Sequence, residues 1–187
     1  MRTRESYMPG PAAGAEVRKE GDNWTLILVR DLRHAPAKVW QALTDPAHLA
    51  EWAPFDADAS LATVGPVKLS TVGAPMVSET TVKRADAPKL LEYSWGGGDL
   101  LWQLEPVDGG TRLTLWHSIN RQYIAWGAAG WHICFDVLER LLAGEPIGRI
   151  AGAESMKLDS WRRLNAEYAK QFGSESPGSQ PQAAQNP

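Results

Sequence analysis

The sequence has very little cysteine and no long apolar run, and each absence narrows what the chain can be. The only cysteine is Cys134, which excludes an internal disulfide framework and suits a reducing compartment. No stretch approaches the roughly 18 consecutive apolar residues of a membrane span, and the N-terminal segment lacks the apolar core of a secretion signal. We therefore predict a cytoplasmic protein with no membrane partner.

The charge balance and the missing motifs exclude further classes. The 19 basic and 22 acidic residues give a net charge of -3, without the basic surface of a nucleic-acid-binding domain, so no nucleic acid is expected as a partner. Phosphate-binding glycine motifs, a nucleophile elbow and cysteine pairs are all absent. Four histidines and one cysteine are too scattered for a zinc set. We expect neither a cofactor nor a metal.

Tryptophan, in contrast, is abundant, with 9 residues beside 3 Phe and 4 Tyr. Each indole combines a large apolar area with one N–H group that needs a partner when it is buried. So many indoles suit a partly wet interior better than a dry one, which is the first indication of a pocket.

The chain is predicted to hold one domain between two tails. The ends, 1–22 and 173–187, are rich in Gly, Pro or polar residues and show no periodicity, so both are predicted to be disordered. The domain, 23–172, opens with a predicted strand, Trp24–Arg30. Pro36 predicts the first turn of a short helix, and Asp45 with Pro46 predicts the start of a second.

The rest of the domain predicts strands followed by helices. Short turns separate alternating or apolar runs at 76–84, 89–95, 100–105 and 111–119, and two less defined strands are expected at 57–62 and 67–72. Helical periodicity appears from Trp131 to Leu142 and again from Leu158 to Phe172. We predict an α+β helix-grip fold, in which a curved antiparallel β-sheet of about six to seven strands wraps around a long C-terminal α-helix. Two short helices follow the first strand, and an extra helix ends the domain.

Several stretches resemble one protein superfamily. The segment 30–52, with its Leu43-Thr44-Asp45-Pro46 sequence, resembles the opening of the START-like (SRPBCC) superfamily, and more narrowly the branch named for the activator of heat-shock protein 90 ATPase. The stretches LLEYSWGG (90–97), GTRLTL (110–115) and the segment 130–144 match that branch in order and spacing. The resemblance implies a helix-grip fold with a hydrophobic cavity between sheet and helix. Its members include lipid carriers, cyclases and co-chaperone domains, so the function has to be argued from the site.

Strand alternation and helix position select the candidate ligand-binding side chains. His117 shares a strand face with leucines, where it is either a polar anchor for a ligand or a core histidine bonded to backbone. The helix residues among the candidates belong to the entrance and apolar stripe of the long helix, or to the two short helices. For all of them the alternative is plain core packing. The candidates are Trp40, Trp52, Tyr93, Trp95, Trp102, His117, Trp126, Trp131 and Phe135.

Four other residues carry chemical groups but favour plainer interpretations. Trp116 lies on the opposite side of its strand and is either edge packing or part of a partner surface. His132 and Asp136 are spaced i, i+4 but lie on the charged stripe of the long helix, so we expect a solvated face. Cys134 lies on the apolar stripe and is expected to be an inert buried thiol.

The sequence leaves three functions open. We favour binding of a hydrophobic small molecule, such as a lipid, a polyketide or an aromatic metabolite, in a Trp-lined cavity. The second is a cofactor-free enzyme of the cyclase or aldolase type, in which His117, with Glu79 or Tyr93, moves a proton. The third is a co-chaperone-like module that stimulates a chaperone ATPase through its outer surface. Self-association through exposed strand edges is a further open possibility.

Overall fold

The computed structural model describes residues 4–173, so the predicted C-terminal tail lies outside the described residues except for Gly173. Within this range the helices are α1 (Pro36–Thr44), α2 (Pro46–Trp52), α3 (Ile124–Leu142), α4 (Gly152–Met156) and α5 (Asp159–Phe172). The strands are β1 (Ala15–Glu20), β2 (Asn23–Leu32), β3 (Phe55–Ala57), β4 (Gly65–Thr71), β5 (Val77–Val82), β6 (Arg84–Asp86), β7 (Leu90–Trp95), β8 (Gly98–Val107) and β9 (Gly110–Ser118).

The described strands form a six-stranded sheet in the order β1-β2-β9-β8-β7-β6 and a three-stranded sheet in the order β3-β4-β5. All pairs are antiparallel, and the register aligns apolar side chains across the strands. Leu28 pairs with Leu115, Leu115 with Trp102, and Trp102 with Leu91. These four side chains are at most 3% exposed, so they mark the inner face. The helix-grip prediction is confirmed.

The strand expected at 76–84 is divided between the two sheets. β5 ends at Val82 and pairs with β4, whereas β6 begins at Arg84 and pairs with β7. The chain changes sheets at Lys83, whose backbone N–H donates to the carbonyl of Glu92 at 2.8 Å. A single alternating run therefore serves two sheets, which sequence periodicity does not distinguish from one long strand.

The N-terminal segment differs from the expectation of a disordered tail. Ala15–Glu20 forms β1 at the edge of the large sheet, paired with β2. The segment before β1 is bonded to α5. The Tyr168 hydroxyl donates to the carbonyl of Ala13 at 3.0 Å, and the Glu167 side chain accepts from the Ala12 N–H at 2.8 Å. An edge strand with one exposed face needs few apolar residues, and that is why composition alone predicts a tail here.

The two short helices α1 and α2 begin at Pro36 and Pro46 as predicted, and the Asp45 side chain accepts from the Ala47 N–H at 2.9 Å. Proline has no N–H, so Pro46 cannot satisfy the carbonyl of Ala42 four residues earlier. The indole of Trp52 replaces that donor at 2.9 Å. Trp52 therefore joins the two helices by a polar bond inside the core, where it is 0% exposed.

The apolar stripe of α3 faces the sheet as predicted, but the prediction that His132 and Asp136 lie on a solvated face is wrong, although Glu139 of the same stripe is exposed. α5 packs over that face, and His132 is only 5% exposed, with its Nδ1 2.7 Å from the hydroxyl of Tyr168. Asp136 accepts from Arg30 at 2.7 Å and from the hydroxyl of Tyr7 at 2.6 Å. A polar stripe covered by a second helix must pair its groups internally, and this one does.

The predicted extra helix is present as α5, which ends at Gly173 in the left-handed conformation (φ 63°) that glycine adopts most readily. Between Arg4 and Gly173 we find no helix long and apolar enough to cross a membrane. The same range contains no group of three or more His, Cys, Asp or Glu side chains placed to hold a metal ion.

Candidate functional site

An apolar cavity of about 140 Å³ lies between the inner face of the sheet and the N-terminal half of α3. One wall, the sheet wall, includes side chains from the ends of β4, β7 and β9, and the opposite wall is the surface of α3. α4 and the start of α5 close the remaining side. The lining residues include Thr71, Trp95, His117, Gly130, Trp131 and Met156.

His117 is the titratable group of the sheet wall. It is 7% exposed, and its Nδ1 accepts a hydrogen bond from the indole N–H of Trp131 at 3.0 Å. Burial lowers the pKa of His117 from 6.5 to about 4, so the imidazole is neutral at physiological pH. The partner is thus an indole on α3 rather than the backbone group that a plain core histidine was expected to use.

Trp95 and Trp131 form the aromatic part of the walls. Their ring centroids are 5.7 Å apart at an interplanar angle of 74°, a T-shaped contact of the kind aromatic rings favour. The indole N–H of Trp95 donates to the hydroxyl of Thr71 at 2.9 Å. Both indoles therefore have their single polar group satisfied by protein atoms, and they present apolar ring surface to the cavity.

The mouth of the cavity lies at Trp126, which is 39% exposed. Its indole N–H is 3.3 Å from the sulfur of Met156 on α4, and its ring contacts those of Tyr123 and Trp161 with centroids 6.2 and 6.4 Å away. The sequence placed Trp126 at a helix entrance but gave no indication of α4. The side of the cavity formed by α4 is therefore a finding of the structure.

The other five candidate residues do not line this cavity. Tyr93, Trp102 and Phe135 lie behind it: the Trp102 ring is 5.5 Å from that of Trp131, and its N–H donates to the Tyr93 hydroxyl at 3.1 Å. Trp52 packs edge-on against Trp102 at 6.0 Å. Trp40 is buried in α1 at 7% exposure. These aromatic side chains hold the wall residues in place, and burial raises the pKa of Tyr93 far above its ordinary value.

Two glycines of α3, Gly127 and Gly130, are cavity-lining residues that sequence reasoning missed. A Cβ atom added at Gly127 would lie 2.8 Å from Cδ1 of Ile119, whereas one added at Gly130 would have nothing within 4 Å. The available signal was the run of small residues 127–130 directly before the bulky stripe of α3. In the sequence, Gly130 stands out only as the first residue of the segment 130–144 that resembles the family.

The groups expected to assist His117 in proton transfer lie elsewhere. Glu79 pairs with Lys68 on the surface, with its side chain 80% exposed, and the Tyr93 hydroxyl is occupied by Trp102. Cys134 does line the cavity, and burial raises the pKa of its thiol to about 12. The thiol is buried as expected, and its inertness stays a prediction.

Trp116 lies on the outer face of the sheet and is half-buried. It pairs across the strands with Ile27 and Leu101. Its position on the outer face agrees with the alternation of β9. Whether it forms a partner surface stays a prediction.

A curved antiparallel sheet that grips a long helix, with an apolar cavity between them, defines the class of START-like (SRPBCC) helix-grip proteins. The chain belongs to the activator of Hsp90 ATPase homolog 1-like protein family, whose model matches residues 33–143. No curated protein matches the chain.

Solved structures with the same fold come from several bacteria. A conserved protein of unknown function from Enterococcus faecalis is 18% identical, with a TM-score of 0.65 and coverage of 84% of this chain and 89% of that one. CalU16 from Micromonospora echinospora is 18% identical, with a TM-score of 0.62 over 86% and 97% of the two chains. A protein from Mesorhizobium loti is 25% identical, with a TM-score of 0.58 over 64% and 97%.

Proposed function

We propose that this protein binds a small apolar molecule, about the size of one substituted aromatic ring, in the cavity between the sheet and α3. An engineered apolar cavity of about 150 Å³ binds benzene, whereas sites for drug-sized ligands are about 300–1,000 Å³. The cavity of about 140 Å³ therefore favours a one-ring or short-chain metabolite over a whole lipid or a long polyketide.

The observation that carries this proposal is Gly130. A glycine inside a helix destabilises it by roughly 0.5–1 kcal/mol relative to alanine. Packing explains such a glycine at Gly127, where Ile119 occupies the space that a Cβ would need, but not at Gly130, where that space is open. The missing side chain instead leaves volume in the cavity that Gly130 lines. An open cavity kept at a cost in stability is what a binding site requires.

The character of the walls supports the same function. The indole N–H groups of Trp95 and Trp131 are already bonded to Thr71 and His117, so an apolar ligand can cover both rings without leaving either indole N–H unsatisfied. Trp126 gives the cavity an aromatic mouth that is open to solvent. Burial of a ligand ring against these surfaces contributes about 25 cal/mol per Å² of apolar area before ordering costs.

The test is a titration with ethylbenzene, an apolar one-ring probe. Binding is followed by the fluorescence of the cavity tryptophans and by calorimetry, and we expect a dissociation constant between about 1 µM and 1 mM, or roughly -8 to -4 kcal/mol. The variant Gly130→Leu places a side chain in the cavity and should abolish binding. Absence of ethylbenzene binding to the unchanged protein would contradict the proposal.

Two further variants control for side effects of the leucine. Ala50→Leu adds the same side chain at an exposed position of α2, away from the cavity, and should leave binding unchanged. Gly130→Ala fills less of the cavity and should weaken binding without abolishing it. Loss of ethylbenzene binding in Ala50→Leu would mean that the response does not report on the cavity.

A further inference from the structure

The bond between Trp131 and His117 fixes the polarity of the sheet wall. An indole N–H is a donor only, so Nδ1 of His117, which lies 3.0 Å from it, is the unprotonated acceptor. The buried imidazole is neutral, since burial lowers its pKa to about 4. A neutral imidazole with an unprotonated Nδ1 carries its proton on Nε2. His117 is thereby restricted to one tautomer and offers a hydrogen-bond donor.

Nε2–H is the group of this imidazole that remains for a ligand. His117 belongs to the cavity wall, and within residues 4–173 its only hydrogen bond is the one from Trp131. Thr71 on the same side also has a proton left to donate, because its oxygen accepts from Trp95. Unlike Nδ1 of His117, this oxygen keeps a second lone pair. Ser155, on the α4 side, differs in that its hydroxyl donates to the carbonyl of Gly152 at 2.7 Å.

We infer that the ligand of this cavity carries a hydrogen-bond acceptor of the carbonyl or ether class on its apolar ring, and that His117 Nε2–H orients it. The inference rests on the proposed function and adds the chemical class of the ligand. Trp131 acts as a positioning residue, because its indole N–H selects the tautomer. A ligand whose only polar group is a donor, such as an ammonium, finds no acceptor on His117.

The experiment compares acetophenone with α-methylstyrene, which has nearly the same shape but a C=CH₂ group in place of the carbonyl. The ratio of their dissociation constants is measured in the unchanged protein and in His117→Leu. The two probes differ in their free energy of transfer from water, but this difference is the same for both proteins and cancels when the two ratios are compared. One hydrogen bond of ordinary net strength corresponds to a change of about 3- to 10-fold in that ratio. We expect the preference for acetophenone to fall by this factor in His117→Leu and to persist in Ser155→Ala.

A second measurement reports the tautomer without any ligand. Nitrogen NMR of histidine-labelled protein at pH 7 should show His117 with a protonated Nε2 and an unprotonated Nδ1. Trp131→Phe removes the indole N–H but keeps an aromatic ring, so the imidazole should then populate both tautomers and the probe ratio should move towards that of His117→Leu.

The outcomes separate this inference from the function on which it rests. If both probes bind but their ratio is the same with and without His117, or if the proton lies on Nδ1, the acceptor class is wrong while cavity binding stands. If neither probe binds the unchanged protein, the proposed function fails and this inference fails with it.

Discussion

Replacing Gly130 by alanine should make the protein more stable, and the size of the effect follows from the structure. Gly130 lies in the interior of α3, where alanine is favoured over glycine by about 0.8–1 kcal/mol. The new methyl group would meet nothing within 4 Å, so no repulsion offsets this gain. Partial burial of the methyl adds at most about 0.8 kcal/mol. We expect the free energy of unfolding to rise by about 1–2 kcal/mol.

The measurement is equilibrium unfolding in urea, with an unchanged dependence on denaturant concentration as evidence that only stability has changed. For a chain of 187 residues, 1 kcal/mol raises the melting temperature by about 2–4 °C. Ethylbenzene affinity should fall in the same variant, because the methyl takes up cavity volume. We therefore expect Gly130→Ala to combine higher stability with weaker binding of ethylbenzene.

Gly127→Ala is the matched control, three residues earlier in the same helix. It has the same gain in helix propensity, but its Cβ would lie 2.8 Å from Cδ1 of Ile119, and overpacking of this kind costs about 1–3 kcal/mol. It should therefore be less stable than Gly130→Ala by about that amount. If Gly130→Ala were no more stable than the unchanged protein, the open space beside Gly130 would not exist and the cavity argument would be refuted.

Three other predictions follow from single side chains. Burial lowers the pKa of His117 from 6.5 to about 4, so as the pH falls the unfolded chain takes up this proton before the folded protein does. The free energy of unfolding, measured in urea, should therefore fall by about 3 kcal/mol between pH 7 and 4, and this loss should be missing in His117→Leu. Equal pH profiles of the two proteins would contradict this. The buried thiol of Cys134, with its pKa raised to about 12, should resist iodoacetamide at pH 8 until urea unfolds the protein, and rapid native labelling would count against its burial. Trp52→Phe leaves the Ala42 carbonyl without its donor and should destabilise by about 2–3 kcal/mol, so a loss below about 1 kcal/mol would mean that the bond matters little.

The faces of the strands and the ends of the helices could be predicted because they depend on local rules. Alternation placed Leu115 and His117 on the inner face, and both are buried. Pro36, Asp45 and Pro46 predicted the starts of α1 and α2, which the structure confirms. Each of these rules needs only a few consecutive residues.

The environment of α3 could not be predicted by the same means. Helical periodicity separates an apolar stripe from a polar one, but it does not say whether a second helix will cover the polar stripe. His132 is buried because α5 returns over it, and Asp136 is half-buried because it pairs with Arg30 of β2 and with Tyr7. These contacts lie at sequence distances that local patterns do not span. The extent of the cavity depends likewise on α4, a short helix without a clear apolar period.

The abundance of tryptophan indicated a pocket, but the physical reason that the structure gives differs from the one expected. We expected the indole N–H groups to favour a partly wet interior, but Trp52, Trp95, Trp102 and Trp131 donate to protein acceptors. Two of these indoles occupy acceptors on the sheet wall, namely Nδ1 of His117 and one lone pair of the Thr71 hydroxyl, so the polar groups that remain on this wall are mainly donors. The tryptophans therefore set the polarity of the cavity as well as its size, and a ligand selected by this wall must bring the acceptor.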